Sequence, residues 1–164
     1  MSTLRRKFDD AAGRVCKAVL PIRHELYEGA AGNDGRVAIC TLGSIGLLAQ
    51  ISQRPEIMSR VALAGRLLSE NKGIDAIVQY ALAHPRLERI VLCGREVKGH
   101  MAGQALLSLY RNGTDGSSGR IIGAKGPYPV LASTAQQVAR FRSQIREITD
   151  AVGETDIEKI ARLL

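Results

Sequence analysis

Tryptophan is absent from this 164-residue chain, and aromatic residues make up only 4% of it. The core must therefore be aliphatic, and the aromatic platform on which single-stranded nucleic acids stack is missing. Cysteine is scarce. Cys16, Cys40 and Cys93 are an odd set with no C-x-x-C pair, which gives neither a disulfide framework nor a zinc knuckle. That usage fits a reducing compartment. No apolar run approaches the ~20 residues that span a bilayer, and Asp9 and Asp10 interrupt any signal-peptide core. The expected location is the cytoplasm, with no membrane span.

What is in excess is positive charge, at +7. It permits an anionic partner, yet the basic residues are spread along the chain. Only Arg5, Arg6 and Lys7 cluster, as on an ordinary solvated surface. No nucleic-acid partner is expected. The length suits one core, and the 45% hydrophobic content is that of a globular protein.

Residues 4 to 19 place Leu4, Phe8, Ala11, Ala12, Val15 and Val19 on one helical face, and Gly29 to Gly35 reads as a loop. Four short apolar runs follow: Val37 to Leu42, Val61 to Ala64, Glu88 to Cys93 and Arg120 to Ile122. They do not alternate with polar residues, as expected of strands buried on both faces. Their first apolar residues are spaced by 24, 29 and 31, about the length of a strand, a helix and two loops. Gly43, Gly65, Gly94 and Gly123 follow the runs. Helical periodicity appears over Ile74 to Leu82, from Gly99 to Gly113, and from Ser133 (with Gln136 in capping-box spacing) through Val138, Phe141, Ile145 and Ile148. Thr155 with Glu158 marks a last short helix. Strands alternating with helices predict an α/β fold with a mostly parallel sheet, whose ligands bind where the glycines cluster, at the carboxyl ends of the strands.

One segment stands out there. Glu96 to Gln104 reads E-V-K-G-H-M-A-G-Q, after a predicted strand and opening a predicted helix. An imidazole at His100 projects from the ligand edge, with Gly99 and Gly103 leaving room beside it. A histidine so placed can bind a metal through one ring nitrogen while the other is fixed by an acceptor. A solvated or core-satisfied histidine is the competing reading. His24 and His84 are weaker candidates, and no second side chain has zinc spacing with His100. A lone histidine suits a metal already held by a macrocycle.

The segment L-C-G-R-E-V-K-G-H-M-A-G-Q-A-L, Leu92 to Leu106, resembles the cobamide-carrying A subunit of tetrahydromethanopterin S-methyltransferase. So do V-A-I-C-T-L-G-S (Val37 to Ser44), A-G-R-L-L-S-E-N-K-G-I (Ala64 to Ile74) and R-I-I-G-A-K-G (Arg120 to Gly126). The likeness is collinear over residues 36 to 148. It implies a Rossmann-like three-layer α/β domain binding a cobamide, with His100 as the axial cobalt ligand and so the catalytic residue. A methyl group would pass from a methylated pterin or folate through the cobalt to an acceptor, with a partner methyltransferase protein.

Lys98 occupies the place of the aspartate in the Asp-x-His-x-x-Gly motif of better-known cobalamin modules, so Glu96 or a backbone carbonyl is left to hold the imidazole. The matched loops are expected to line the corrinoid pocket: Thr41, Gly43 and Ser44; Glu70 and Asn71; Glu96, Gly99, Gly103 and Gln104; Gly123, Ala124, Lys125 and Gly126. Turn geometry and capping compete with ligand binding at each. The expected organisation is an N-terminal helix and loop (1–35), the corrinoid domain (36–150) and a C-terminal helix (151–164). The N-terminal helix does not match the methanogen protein, and the chain ends at Leu164 without that protein's membrane anchor. A soluble methyl shuttle is therefore expected. The alternative is a non-catalytic α/β module that binds a nucleotide or another anion.

Overall fold

The strands that are continuous apolar runs in the sequence form the middle of the sheet. The computed structural model describes residues 26–164; the helix expected over residues 4 to 19 lies outside them. Five strands, β1 (Leu26–Glu28), β2 (Val37–Cys40), β3 (Leu63–Gly65), β4 (Arg89–Gly94) and β5 (Glu147–Val152), are ordered β1-β3-β2-β4-β5. All neighbours are parallel except β1, which pairs antiparallel with β3. Ala38, Cys40, Ile90 and Leu92 face one core; Ile39, Val91 and Cys93 face the other. Both faces are covered, which is why β2 and β4 show no polar alternation.

The first core is closed by α3 (Lys72–Ala83), α4 (Ala102–Asn112) and α5 (Ala135–Gln144), through residues such as Ile74, Val78, Leu106 and Phe141. The second is closed by α1 (Ile45–Ser52), α2 (Pro55–Met58) and α6 (Ile157–Ala161), through Leu48, Ile51, Ile57 and Ile160. The result is the expected Rossmann-like three-layer α/β fold. It includes two helices, α1 and α2, that periodicity in the sequence does not predict.

Three expectations are corrected. The run Arg120 to Ile122 is no sheet strand. It makes only two isolated antiparallel bridges, Thr114 with Ile121 and Arg120 with Val130, in an excursion between α4 and α5. Its place in the sheet is taken by β5, which holds Ile148. The helix stops at Gln144, where Ile145 turns extended with φ −77° and ψ 113°. Ile145 and Ile148 share helical spacing by coincidence, and an edge strand of alternating burial lacks the continuous apolar signature. The second strand also begins two residues later than expected, with buried Val61 and Ala62 leading into it.

The caps shift as well. Thr134 and Gln137, not Ser133 and Gln136, form the capping box of α5. Ser133 Oγ instead donates to Asp75 at 2.7 Å. Asp156, not Thr155, caps α6.

Candidate functional site

The strand order reverses at β2. The chain goes from β2 to β3 on one side and reaches β4 on the other, so the loops leaving β2 and β4 diverge to opposite faces. Such a reversal opens a crevice at the carboxyl ends of the strands. Here it is a cleft of about 880 Å³ whose walls include Gly43, Ser44, Arg66, Arg95, Glu96 and His100. The two loops are tied together beneath it. Gly43 N–H donates to the Arg95 carbonyl at 2.9 Å, and Arg95 N–H donates to Ser44 Oγ at 2.9 Å. Leu42, fully buried at the end of β2, has φ 49°, and Met101, the residue after His100, has φ 50°. Left-handed backbone at non-glycine residues costs on the order of 1–3 kcal/mol each and persists where packing holds it. Both instances flank this cleft.

His100 is held from behind. Its Nδ1 lies 2.9 Å from Oε2 of Glu70, a carboxylate only 1% exposed at the exit of β3. The other oxygen, Oε1, accepts the Tyr128 N–H at 2.9 Å. Burial by itself would raise the Glu70 pKa, but backbone N–H groups of Glu70 and Tyr128 and the His100 ring prevail and hold it below its ordinary value. An ionised carboxylate only accepts, so Nδ1 carries the proton. Nε2 makes no hydrogen bond among the described residues, and in the neutral ring it is the nitrogen that carries the lone pair. The imidazole is 46% exposed.

The carboxylate that meets His100 is thus Glu70, not Glu96. Glu96 accepts the N–H groups of Gly103 and Gln104 at 3.1 and 2.9 Å. It caps α4, whose own N-cap residue Met101 supplies no acceptor. A Cβ on Gly103 would stand 2.9 Å from the Glu96 carboxylate.

The other expected residues divide. Gly43 and Ser44 line the cleft with Glu96 and His100. Gly99 has φ 86° and open space where a Cβ would stand. Thr41 is fully buried and donates to the Gly65 carbonyl at 3.4 Å. Asn71 accepts the Lys72 N–H at 2.7 Å and caps α3. The Gln104 amide is engaged within the protein, with the Gly123 carbonyl at 3.0 Å and Lys125 N–H at 2.9 Å. It therefore secures the turn of Gly123, Ala124, Lys125 and Gly126 as a buttress. A Cβ on Gly126 would approach the His100 carbonyl to 2.5 Å.

Arg66 is a cleft residue that the sequence reading does not single out. It leaves β3 for the cleft, donates from Nη2 to the Gly43 carbonyl at 3.2 Å, and has a buried Nε with no acceptor. Its place in the quoted stretch A-G-R-L-L, straight after a buried strand, is the signal that could have found it.

An open, mostly parallel sheet, with a cleft at its reversal and one oriented imidazole in that cleft, makes this a doubly wound α/β protein. Among the described residues no group of three His, Cys, Asp or Glu side chains converges as an ion cage. The chain belongs to the family of the A subunit of tetrahydromethanopterin S-methyltransferase, whose family profile matches residues 20–164. It is 40% identical over 129 residues to that protein from Methanocaldococcus jannaschii, covering 78% of this chain and 51% of the relative. The second form of the same A subunit in Methanothermobacter thermautotrophicus is 39% identical over 129 residues, 78% of this chain and 67% of the relative. A Methanosarcina barkeri protein named for the A subunit of a methyltransferase, Mtx, is 33% identical over 132 residues, 80% of this chain and 61% of its own length. The chain thus spans about half to two thirds of the relatives it matches. No helix among the described residues is long and apolar enough to cross a membrane.

Proposed function

We propose that this protein carries a methyl group on a cobalt corrinoid, with His100 Nε2 as the group that would hold the metal. The observation that carries the reading is the pinned imidazole: Nδ1–H on buried Glu70, Nε2 without a partner among the described residues, in a ring that lines an open cleft. A single oriented nitrogen suits a metal whose other positions a macrocycle already fills. The open cleft of about 880 Å³ that His100 lines gives a large ligand room beside the ring.

When bound, the corrinoid supplies a metal centre that accepts and gives up a methyl group. The chain's own residues prepare its seat. Glu70 fixes the tautomer and orientation of His100, as carboxylates do behind metal-binding imidazoles. Tyr128 N–H and the packing of Gly126 keep Glu70 in place. The tied loops after β2 and β4 hold the cleft in shape, so little ordering remains when a ligand enters. The Methanocaldococcus and Methanothermobacter relatives are named as the A subunit of tetrahydromethanopterin S-methyltransferase. By that relationship the methyl donor is a methylated pterin or folate, delivered and collected by partner methyltransferase proteins, with this chain acting as a soluble shuttle in the cytoplasm.

The test is reconstitution with a cobamide and comparison of visible spectra for wild type and His100→Ala. A base-on signature in the wild type that disappears in the variant is expected; identical spectra overturn the reading.

A further inference from the structure

We propose that the cleft holds, beside His100, an anion subsite formed by Arg66 and the first turn of α1, and that it takes the phosphodiester of a complete cobamide's nucleotide loop. The inference rests on the corrinoid reading above and adds which part of the ligand is recognised.

Three observations converge. The Arg66 guanidinium belongs to a half-buried side chain in the cleft wall, and its Nε is fully buried without an acceptor. A buried donor on a charged group is unfavourable until an acceptor arrives. Next, α1 opens on the same cleft and is uncapped. Its N-cap residue Ser44 makes no side-chain cap, because Ser44 Oγ accepts the Arg95 N–H instead. Among the described residues the Gly46 and Leu47 N–H groups have no acceptor, no acidic residue stands in that first turn, and the space where a Gly46 Cβ would lie is empty. Free N–H groups at a helix start favour an anion. Finally, the cleft wall is positive. Arg66, Arg95 and Lys98 line it against one carboxylate, Glu96, which is already occupied by two backbone N–H groups. Among the described residues none of the three cations forms an ion pair.

The ligand follows from charge. The edge groups of a corrin ring are neutral amides, which do not call for three cations. The one anion of a complete cobamide is the phosphodiester of its nucleotide loop. An arginine fork and helix N–H groups match phosphate oxygens.

The experiment compares cobinamide with cobinamide phosphate, which differ in the phosphate alone. Each is titrated into wild type, Arg66→Met and Arg66→Lys, and followed by visible spectroscopy and equilibrium dialysis. Wild type is expected to bind the phosphate form about tenfold tighter, the value of one charge-assisted contact. Arg66→Met loses that preference while its cobinamide affinity and its His100-dependent spectrum stay, which also shows that the variant is folded. Arg66→Lys retains part of the preference. Inorganic phosphate competes with the phosphate form in wild type only. Equal binding of the two ligands by wild type, or a preference that survives in Arg66→Met, overturns the subsite and leaves the role of His100 standing. Failure of wild type to bind either corrinoid overturns both proposals.

Discussion

Two carboxylates flank the same histidine, and they do different work. Glu96 is four residues before His100, in the loop after β4, and accepts two backbone N–H groups of α4. Glu70 is thirty residues away, in the loop between β3 and α3, and divides its oxygens between His100 and Tyr128. The near carboxylate completes a helix; the distant one orients the imidazole. Closeness in sequence is therefore a poor guide to which acceptor fixes a histidine tautomer. The fold brings β3 and β4 to either side of β2, and a side chain in the loop after one reaches the loop after the other.

That contrast can be broken experimentally. The largest effect is expected behind the histidine. Gly126→Val puts a branched side chain into a space where a Cβ already lies 2.5 Å from the His100 carbonyl and 2.9 Å from Glu70 Cγ. A loss of about 3 kcal/mol in denaturant unfolding is expected, the upper range for overpacking. Next, Glu70→Gln keeps an acceptor for Tyr128 but weakens the charge-assisted bond to Nδ1–H. Cobamide coordination should fall about 10–100-fold, as when a carboxylate behind a metal-binding histidine is removed. Glu96→Gln should instead cost about 1 kcal/mol of stability by weakening the start of α4, with coordination unchanged. Equal losses of coordination in the two variants would erase the distinction.

At neutral pH the smallest effect is expected at the two buried thiols. Burial pushes both Cys40 and Cys93 up to about 12 from 9.0. Native protein at pH 8 should leave both unlabelled by iodoacetamide, with full labelling in denaturant, as read by peptide mass. The unfolded thiols ionise near pH 9 and the folded ones only near 12, so their contribution is complete below about pH 9. Stability should then decline as the pH rises from about 9 toward 12. Denaturant midpoints measured across that range test the sign.

Much of the architecture was legible because central strands and amphipathic helices write periodic patterns. β2, β4, α3 and α4 fall where the apolar runs and helical faces predict them. The errors cluster at the sheet's edges. β1 is three residues long, β5 is only half covered, and the 120–122 run has a strand-like composition with no neighbour in the sheet to pair with. His100 was marked by its local setting, a G-H-x-x-G segment between a strand and a helix, together with the likeness to a known family. Arg66 carried no pattern beyond following a buried strand.

From the residues alone came the parallel α/β plan, since hydrophobic period acts over a few positions, and with it His100 as a candidate that the likeness to a known family then singled out. Only tertiary structure decided that Glu70 grips His100, that Glu96 and Gln104 are engaged within the protein, and that Arg66 is left with an orphaned donor. Hydrogen bonds between groups tens of residues apart depend on strand order and loop geometry, and neither is encoded in spacing along the chain.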